Sequence, residues 1–346
     1  MPSMPSMPSM PSMPAAAPSG PAGDWEGVRL HVVTGKGGTG KTTVAGALAL
    51  ALASGGHRVM VLEVEGRQGI AQLFDTPPLP YEERRMAVAA GGGEVFALAV
   101  DAEEALLEYL DLFYHLGRAG RVLKKIGAVD FATTVAPGLR DVLLTGKAYE
   151  AVGRRKAGRR TYDAIVLDAP PTGRITRFLN VNSEVAGLAR MGPIRNQADS
   201  IMGLLHSPRT AVHLVTLLEE MPTQETVDAV AELHEARLPV GAVIVNMVRR
   251  SQLRPAELTA AARGRLDRDD VVAGLLAAGL PADDAVVKAL VGEAAQLAER
   301  VALEKRERKA VAELGRPTYE LPWLPAGMDV GGLHELAAAL QQQGAA

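Results

Sequence analysis

The chain of 346 residues contains no cysteine. That absence excludes disulfides, thiolate metal sites and cysteine nucleophiles, and it suits a reducing compartment. An excess of positive charge is also missing: 37 Lys and Arg stand against 40 Asp and Glu, a net charge of −3. Without a basic footprint, no nucleic-acid partner is expected. Long apolar runs are lacking as well. None approaches the ~20 residues needed to cross a bilayer. The nearest, GALALALASGG from Gly46, stops short and reads as an amphipathic helix. The amino terminus repeats Met-Pro-Ser as far as Met13, with neither the basic start nor the apolar stretch of a secretory signal. Proline at every third position forbids a helix there, so residues 1–24 are expected to be a disordered tail. Together these absences predict a cytoplasmic protein with no transmembrane segment. They leave peripheral association with a membrane open.

What is present is a large apolar fraction, 47 %, ample for one large core or two modest ones. Short β-branched runs alternate with helix-period stretches, the pattern of an α/β fold whose mostly parallel, doubly wound sheet is covered on both faces. Strands are expected at Arg29–Thr34, Arg58–Glu63, Glu94–Val100, Tyr162–Leu167, Ala211–Thr216, Gly241–Asn246 and Thr318–Leu321. Helices are expected from Lys41 to Ser54, Thr223 to Ala236 and Val330 to Gln342. Two stretches break the alternation: about 101–128 and 255–314 read as helical throughout. They look like insertions into a single domain over 25–346. Leu106, Leu107, Leu110, Leu112 and Phe113 make an apolar stripe in the first, best read as core packing.

The strongest local signal is Gly35-Lys36-Gly37-Gly38-Thr39-Gly40-Lys41-Thr42-Thr43, lying between an apolar strand and a helix. It matches the P-loop pattern G-x-x-x-x-G-K-[ST]. Glycines let backbone N–H groups converge on phosphate, and the helix start adds partial positive charge. Lys41 should reach the β- and γ-phosphates of ATP, and the Thr42 hydroxyl should ligate Mg²⁺. Asp168, ending its strand, lies where ligands bind in parallel sheets and can hold the metal through water.

Lys36 before the double glycine gives GKGGxGKT, which resembles the deviant P-loop of the group containing MinD, ArsA and the nitrogenase iron protein. Asp168-Ala169-Pro170-Pro171-Thr172-Gly173-Arg174 resembles the DTAPTGHT switch of the ArsA family, and Ala136-Pro137-Gly138-Leu139 its Pro-Gly segment. The similarity runs from about Val28 to Leu324. It implies a dimeric switch ATPase, a homodimer or a heterodimer with a paralogous ATPase, coupled to an unknown partner protein or cargo. Lys36 would then act on the partner's phosphates, with Thr172 and Gly173 sensing the γ-phosphate. The resemblance also implies that Asn246 reads the adenine edge and that Pro322 lies beside the nucleotide, with Trp323 packing on the base or in the core.

The pattern departs at the first switch, where the family carries D-P-A-[HS]. Here the register gives Glu63-Val64-Glu65-Gly66, and Glu65 is the best match to the catalytic aspartate, with Glu63 a competitor. An extra methylene moves the carboxylate by ~1.5 Å, and misplacement of that order costs ~100-fold in rate, so slow hydrolysis is expected. Arg174 replaces a family histidine; it either pairs with phosphate, Glu65 or the dimer mate, or is solvated. Absence of cysteine removes both the thiolate arsenite site of the pump ATPases and the zinc-binding Cys pair of the tail-anchored-protein ATPases. Alternatives are an ATP-binding scaffold that works with a paralogous ATPase, or a MinD/ParA-like positioning ATPase. The last is disfavoured because the closing helix has only Glu335 as a charged residue and no basic face.

Overall fold

Alternation along the central strands sends side chains into two separate cores. On β2 (Arg58–Glu63), Val59 and Val61 enter one core while Met60 and Leu62 enter the other. Such strands, buried on both faces, need helices above and below. The computed structural model describes residues 25–114, 137–188 and 193–345. The tail 1–24 and the part of the first insertion beyond Tyr114 lie outside the described residues.

An eight-stranded sheet has the order β10-β9-β8-β1-β7-β2-β4-β3. Its members are β1 (Leu30–Gly35), β2, β3 (Arg84–Val88), β4 (Glu94–Ala99), β7 (Ala164–Asp168), β8 (Thr210–Thr216), β9 (Val240–Val248) and β10 (Thr318–Pro322). All neighbours pair in parallel except β3, which runs antiparallel to β4 at the edge. Chain order reverses around β1, which lies between β7 and β8, and the crevice at the carboxyl ends of these strands is where an open α/β sheet takes ligands.

One face carries α1 (Lys41–Ala53), α2 (Gly69–Leu73) and α11 (Val330–Gln342); α4 (Pro137–Gly153), α5 (Thr172–Leu188), α6 (Pro193–Leu205) and α7 (Glu220–Glu235) cover the other. Helix α1 corrects the expectation of an amphipathic segment. Val44 through Ala51 and Ala53 are all buried, because Leu333, Leu336, Ala337 and Leu340 of α11 cover the side facing away from the sheet. A helix apolar all round is a buried helix. Each fully buried leucine in it contributes about 1.5–3 kcal/mol of transfer energy.

The stretch 255–314 is not one continuous helix. Gly264, with φ +61°, and the Gly279-Leu280-Pro281 turn divide it into α8 (Pro255–Ala262), α9 (Arg268–Ala277) and α10 (Asp284–Glu313). Asp267 and Asp283 cap the last two through their side chains. Helix α3 (Ala102–Tyr114) begins the first insertion, with Ala105 buried and Leu106 packed beside it. The edge strand β3, the short α2, helix α6 and a small exposed hairpin, β5 (Arg155–Lys156) with β6 (Arg159–Arg160), have no counterpart among the expected elements.

Candidate functional site

The loop between β1 and α1 is fixed at both ends by close backbone approach. A Cβ at Gly35 would lie 2.2 Å from the Val215 carbonyl oxygen of β8; one at Gly40, where φ is +85°, would lie 2.4 Å from Asn246 Nδ2. Thr39 is buried, its hydroxyl donating to the Lys36 carbonyl at 2.9 Å. Gly37 and Gly38 face open space, with no atom within 4 Å of where a Cβ would stand. This is a backbone cradle sized for a group that must come close, as the phosphate reading of Gly35 to Thr43 requires.

Thr42, on the first turn of α1, donates its hydroxyl to Asp168 Oδ2 at 2.7 Å. Asp168 is nine-tenths buried, and burial, helped by Glu63 and Glu65, raises its carboxyl to about 6 against the pull of Thr42 and Lys41. Burial likewise lowers the Lys41 ammonium from its ordinary value, opposed by Asp168 and Glu65. The structure therefore brings Lys41, Thr42, Asp168 and Glu65 into one electrostatic neighbourhood. A buried carboxylate beside a hydroxyl is the oxygen donor set that suits Mg²⁺.

Glu63 and Glu65 take different places. Glu63 is 2 % exposed and accepts the amides of Gly69 and Ile70, both at 3.1 Å, so it caps the start of α2. Both of its carboxylate oxygens are thereby engaged by backbone amides. Glu65 sits at the mouth, 3.7 Å from Arg67. Arg140, on α4, reaches the Val64 carbonyl between them at 3.4 Å.

The Asp168–Arg174 segment is tied to the P-loop strand: Thr34 donates to the Pro170 carbonyl at 2.6 Å, and Ala169 N–H to Val33 at 3.0 Å. Arg174 is largely exposed, 3.9 Å from Asp141. Lys36 is ion-paired with Glu225 of α7, a residue that sequence reasoning did not single out. Asn246 is buried and donates Nδ2 to the Thr39 carbonyl at 2.9 Å, so β9 and the P-loop meet at the residue expected near adenine.

Pro322 and Trp323 belong to a cleft of 450 Å³ at the ends of β9 and β10, with Arg249, Arg250 and Arg300 on its walls. Trp323 is 43 % exposed and is not core; the Arg249 guanidinium lies over its ring at 4.4 Å. Arg249 and Arg250 thus line a concave surface. Arg154, away from this cleft, is half-buried and ion-paired with Glu83 and Glu150.

Fold and loop together define a P-loop nucleoside triphosphatase. The family model for anion-transporting ATPases, ArsA, matches residues 28–208. ATPase BagA of Mycobacterium tuberculosis and a putative ATPase of Mycobacterium bovis are each 56 % identical over 319 residues, covering 92 % of this chain and 94 % of theirs. A putative arsenical pump-driving ATPase of Halobacterium salinarum is 26 % identical over 223 residues, 61 % of this chain and 34 % of that one. The chain belongs to the anion-transporting ATPase family, and it is an ATPase of the ArsA type.

Proposed function

We propose that the chain is a slow, Mg²⁺-dependent ATPase that works as a dimer and couples its nucleotide state to a partner protein or cargo. The observation that carries this reading is the meeting of Thr42 and Asp168 at 2.7 Å beside Lys41, under the open Gly37-Gly38 backbone. Magnesium bound at that hydroxyl and carboxylate would neutralise charge on the β- and γ-phosphates. Lys41 binds the same phosphates from the helix start. Glu65 orients the attacking water and accepts its proton, and Lys36 supplies positive charge to the phosphates of the opposite subunit. Asn246 and the Trp323 cleft hold the base, the indole serving as a stacking surface. No cysteine is present to capture arsenite through sulfur.

Two tryptophans, buried Trp25 and exposed Trp323, make the test direct. ATP with Mg²⁺ should change Trp323 emission saturably, and Trp323→Phe should remove the change while phosphate release persists. Size analysis with ATP should show a dimer for wild type and none for Lys36→Ala, which still binds ATP; Lys41→Ala should bind none. Absence of any saturable nucleotide signal at millimolar concentration would end the proposal.

A second reading, an ATP-binding scaffold paired with a paralogous ATPase, draws on Glu65 lying beside Arg67, which competes with water for the carboxylate. Phosphate release only after a paralogue is added would favour it. The MinD/ParA-like reading loses ground because the apolar stripe of α11 is spent against α1.

A further inference from the structure

A single carboxylate on α7 holds two groups at the phosphate mouth. Glu225 forms an ion pair with Lys36 through one oxygen and accepts the Thr172 hydroxyl at 3.3 Å through the other. Lys36 is therefore folded onto its own subunit, on the loop that the triphosphate enters. Thr172 opens α5 and is itself buried, at 5 % exposure. From this double contact we infer that Glu225 is a positioning residue: it keeps Lys36 at home and ties it to Thr172, so that the lysine is surrendered to another subunit only after Thr172 has turned to a γ-phosphate.

The inference rests on the proposed action of Lys36 across a dimer. Its physical basis is competition for one ammonium. Lys36 cannot sit against Glu225 and against phosphate on a facing chain at once, and the carboxylate is the partner it has within its own subunit. The side chains are 30 % and 37 % exposed, so the pair is a partly solvated one. Pairs of that kind shift equilibria by only about two- to fivefold, weak enough to exchange yet strong enough to bias. Losing the Thr172 hydrogen bond to the incoming γ-phosphate removes one of the two contacts that fix the Glu225 carboxylate, so the carboxylate can swing away and no longer pins Lys36 in place. Triphosphate would thus unlock the lysine where diphosphate would not.

Two measurements on the full chain test this. Without nucleotide, Lys36 should be acylated by an amine-reactive ester about two- to fivefold faster in Glu225→Gln than in wild type, read peptide by peptide by mass spectrometry. With ATP and Mg²⁺, Glu225→Gln should dimerise at correspondingly lower protein concentration, and it should begin to dimerise with ADP. Glu225→Gln combined with Lys36→Ala should stay monomeric, as Lys36→Ala alone does. Unchanged Lys36 reactivity, or a dimer restored in the combined variant, would overturn the inference. If wild type forms no ATP-dependent dimer, the dimer proposal falls, while the acylation comparison still decides whether Glu225 holds the lysine.

Discussion

Thr42 and Asp168 stand 126 residues apart in the chain and 2.7 Å apart in space, hydroxyl to carboxylate. That bond joins the P-loop helix to the strand tip of β7 at the centre of the sheet. A carboxyl buried to this extent, with its titration raised to about 6, is an unfavourable charge at neutral pH. Its unfolded value is near 3.9, so the folded state binds the proton more readily between about 4 and 6. Stability from this group therefore rises as pH falls through that window. Asp168→Asn keeps the acceptor for Thr42 and removes the charge. In calorimetry at pH 7 without metal it should be more stable, by of the order of 2–3 kcal/mol, while Mg²⁺-dependent hydrolysis is lost.

Glu65 is exposed enough to meet water and near enough to Lys41 and Asp168 to feel their charge. Glu65→Gln should leave ATP affinity within a few-fold and reduce turnover by ~10²–10⁴. Single-turnover phosphate release beside a binding titration separates the two effects. Equal turnover in the variant would move the water-activating role elsewhere.

Contrasting glycine substitutions should divide folding from binding. Gly35→Ala forces a methyl into the Val215 carbonyl on β8, where only backbone could give way, and should unfold or precipitate the chain. Gly37→Ala meets open space, so thermal stability should stay near wild type. Its methyl instead obstructs the phosphate approach, and ATP affinity should drop at least tenfold, about 1.4 kcal/mol.

The paired imidazoles of His31 and His213 predict acid sensitivity. Both are fully buried; His213 Nδ1 accepts the Ala242 amide at 3.1 Å, so its Nε2 carries the proton and donates to His31 Nδ1, also at 3.1 Å. Burial holds His213 down to about 3, and burial with the neighbouring ring holds His31 well below its usual value. Because these folded values are depressed, the unfolded chain takes up protons first. Stability is full above about pH 6.5 and falls as pH drops, by up to ~1.4 kcal/mol per unit for each ring. Denaturant titrations between pH 7.5 and 5 should show that slope, and His213→Asn should reduce it.

The phosphate loop was legible because its chemistry is contiguous: nine residues carry the turn, the lysine and the hydroxyl. The place of Asp168 at a strand tip was legible for a related reason, as an acid ending a short apolar run. Glu225 was not, since nothing in the second turn of α7 marks one glutamate among several; its partner lies 189 residues away. Trp323 illustrates the other limit. A lone aromatic at a strand end carries no periodicity, so the sequence could not distinguish core from an open cleft. Helix α1 was misread because the surface that covers it comes from the far end of the chain, and the three-way division of 255–314 turned on two glycine turns hidden in an alanine-rich run.

Helix α11 closes over α1, and Gln341 reaches the Ala51 carbonyl across 290 positions of sequence. The whole loop from Gly35 to Thr43 is therefore translated long before the surface that shelters its helix. A nascent or nonsense-truncated polypeptide ending ahead of Asp329 would own an intact P-loop yet leave Leu48 and Leu50 wet. No shortened fragment of this kind should survive as a rogue nucleotide binder competing with the chain that carries α11.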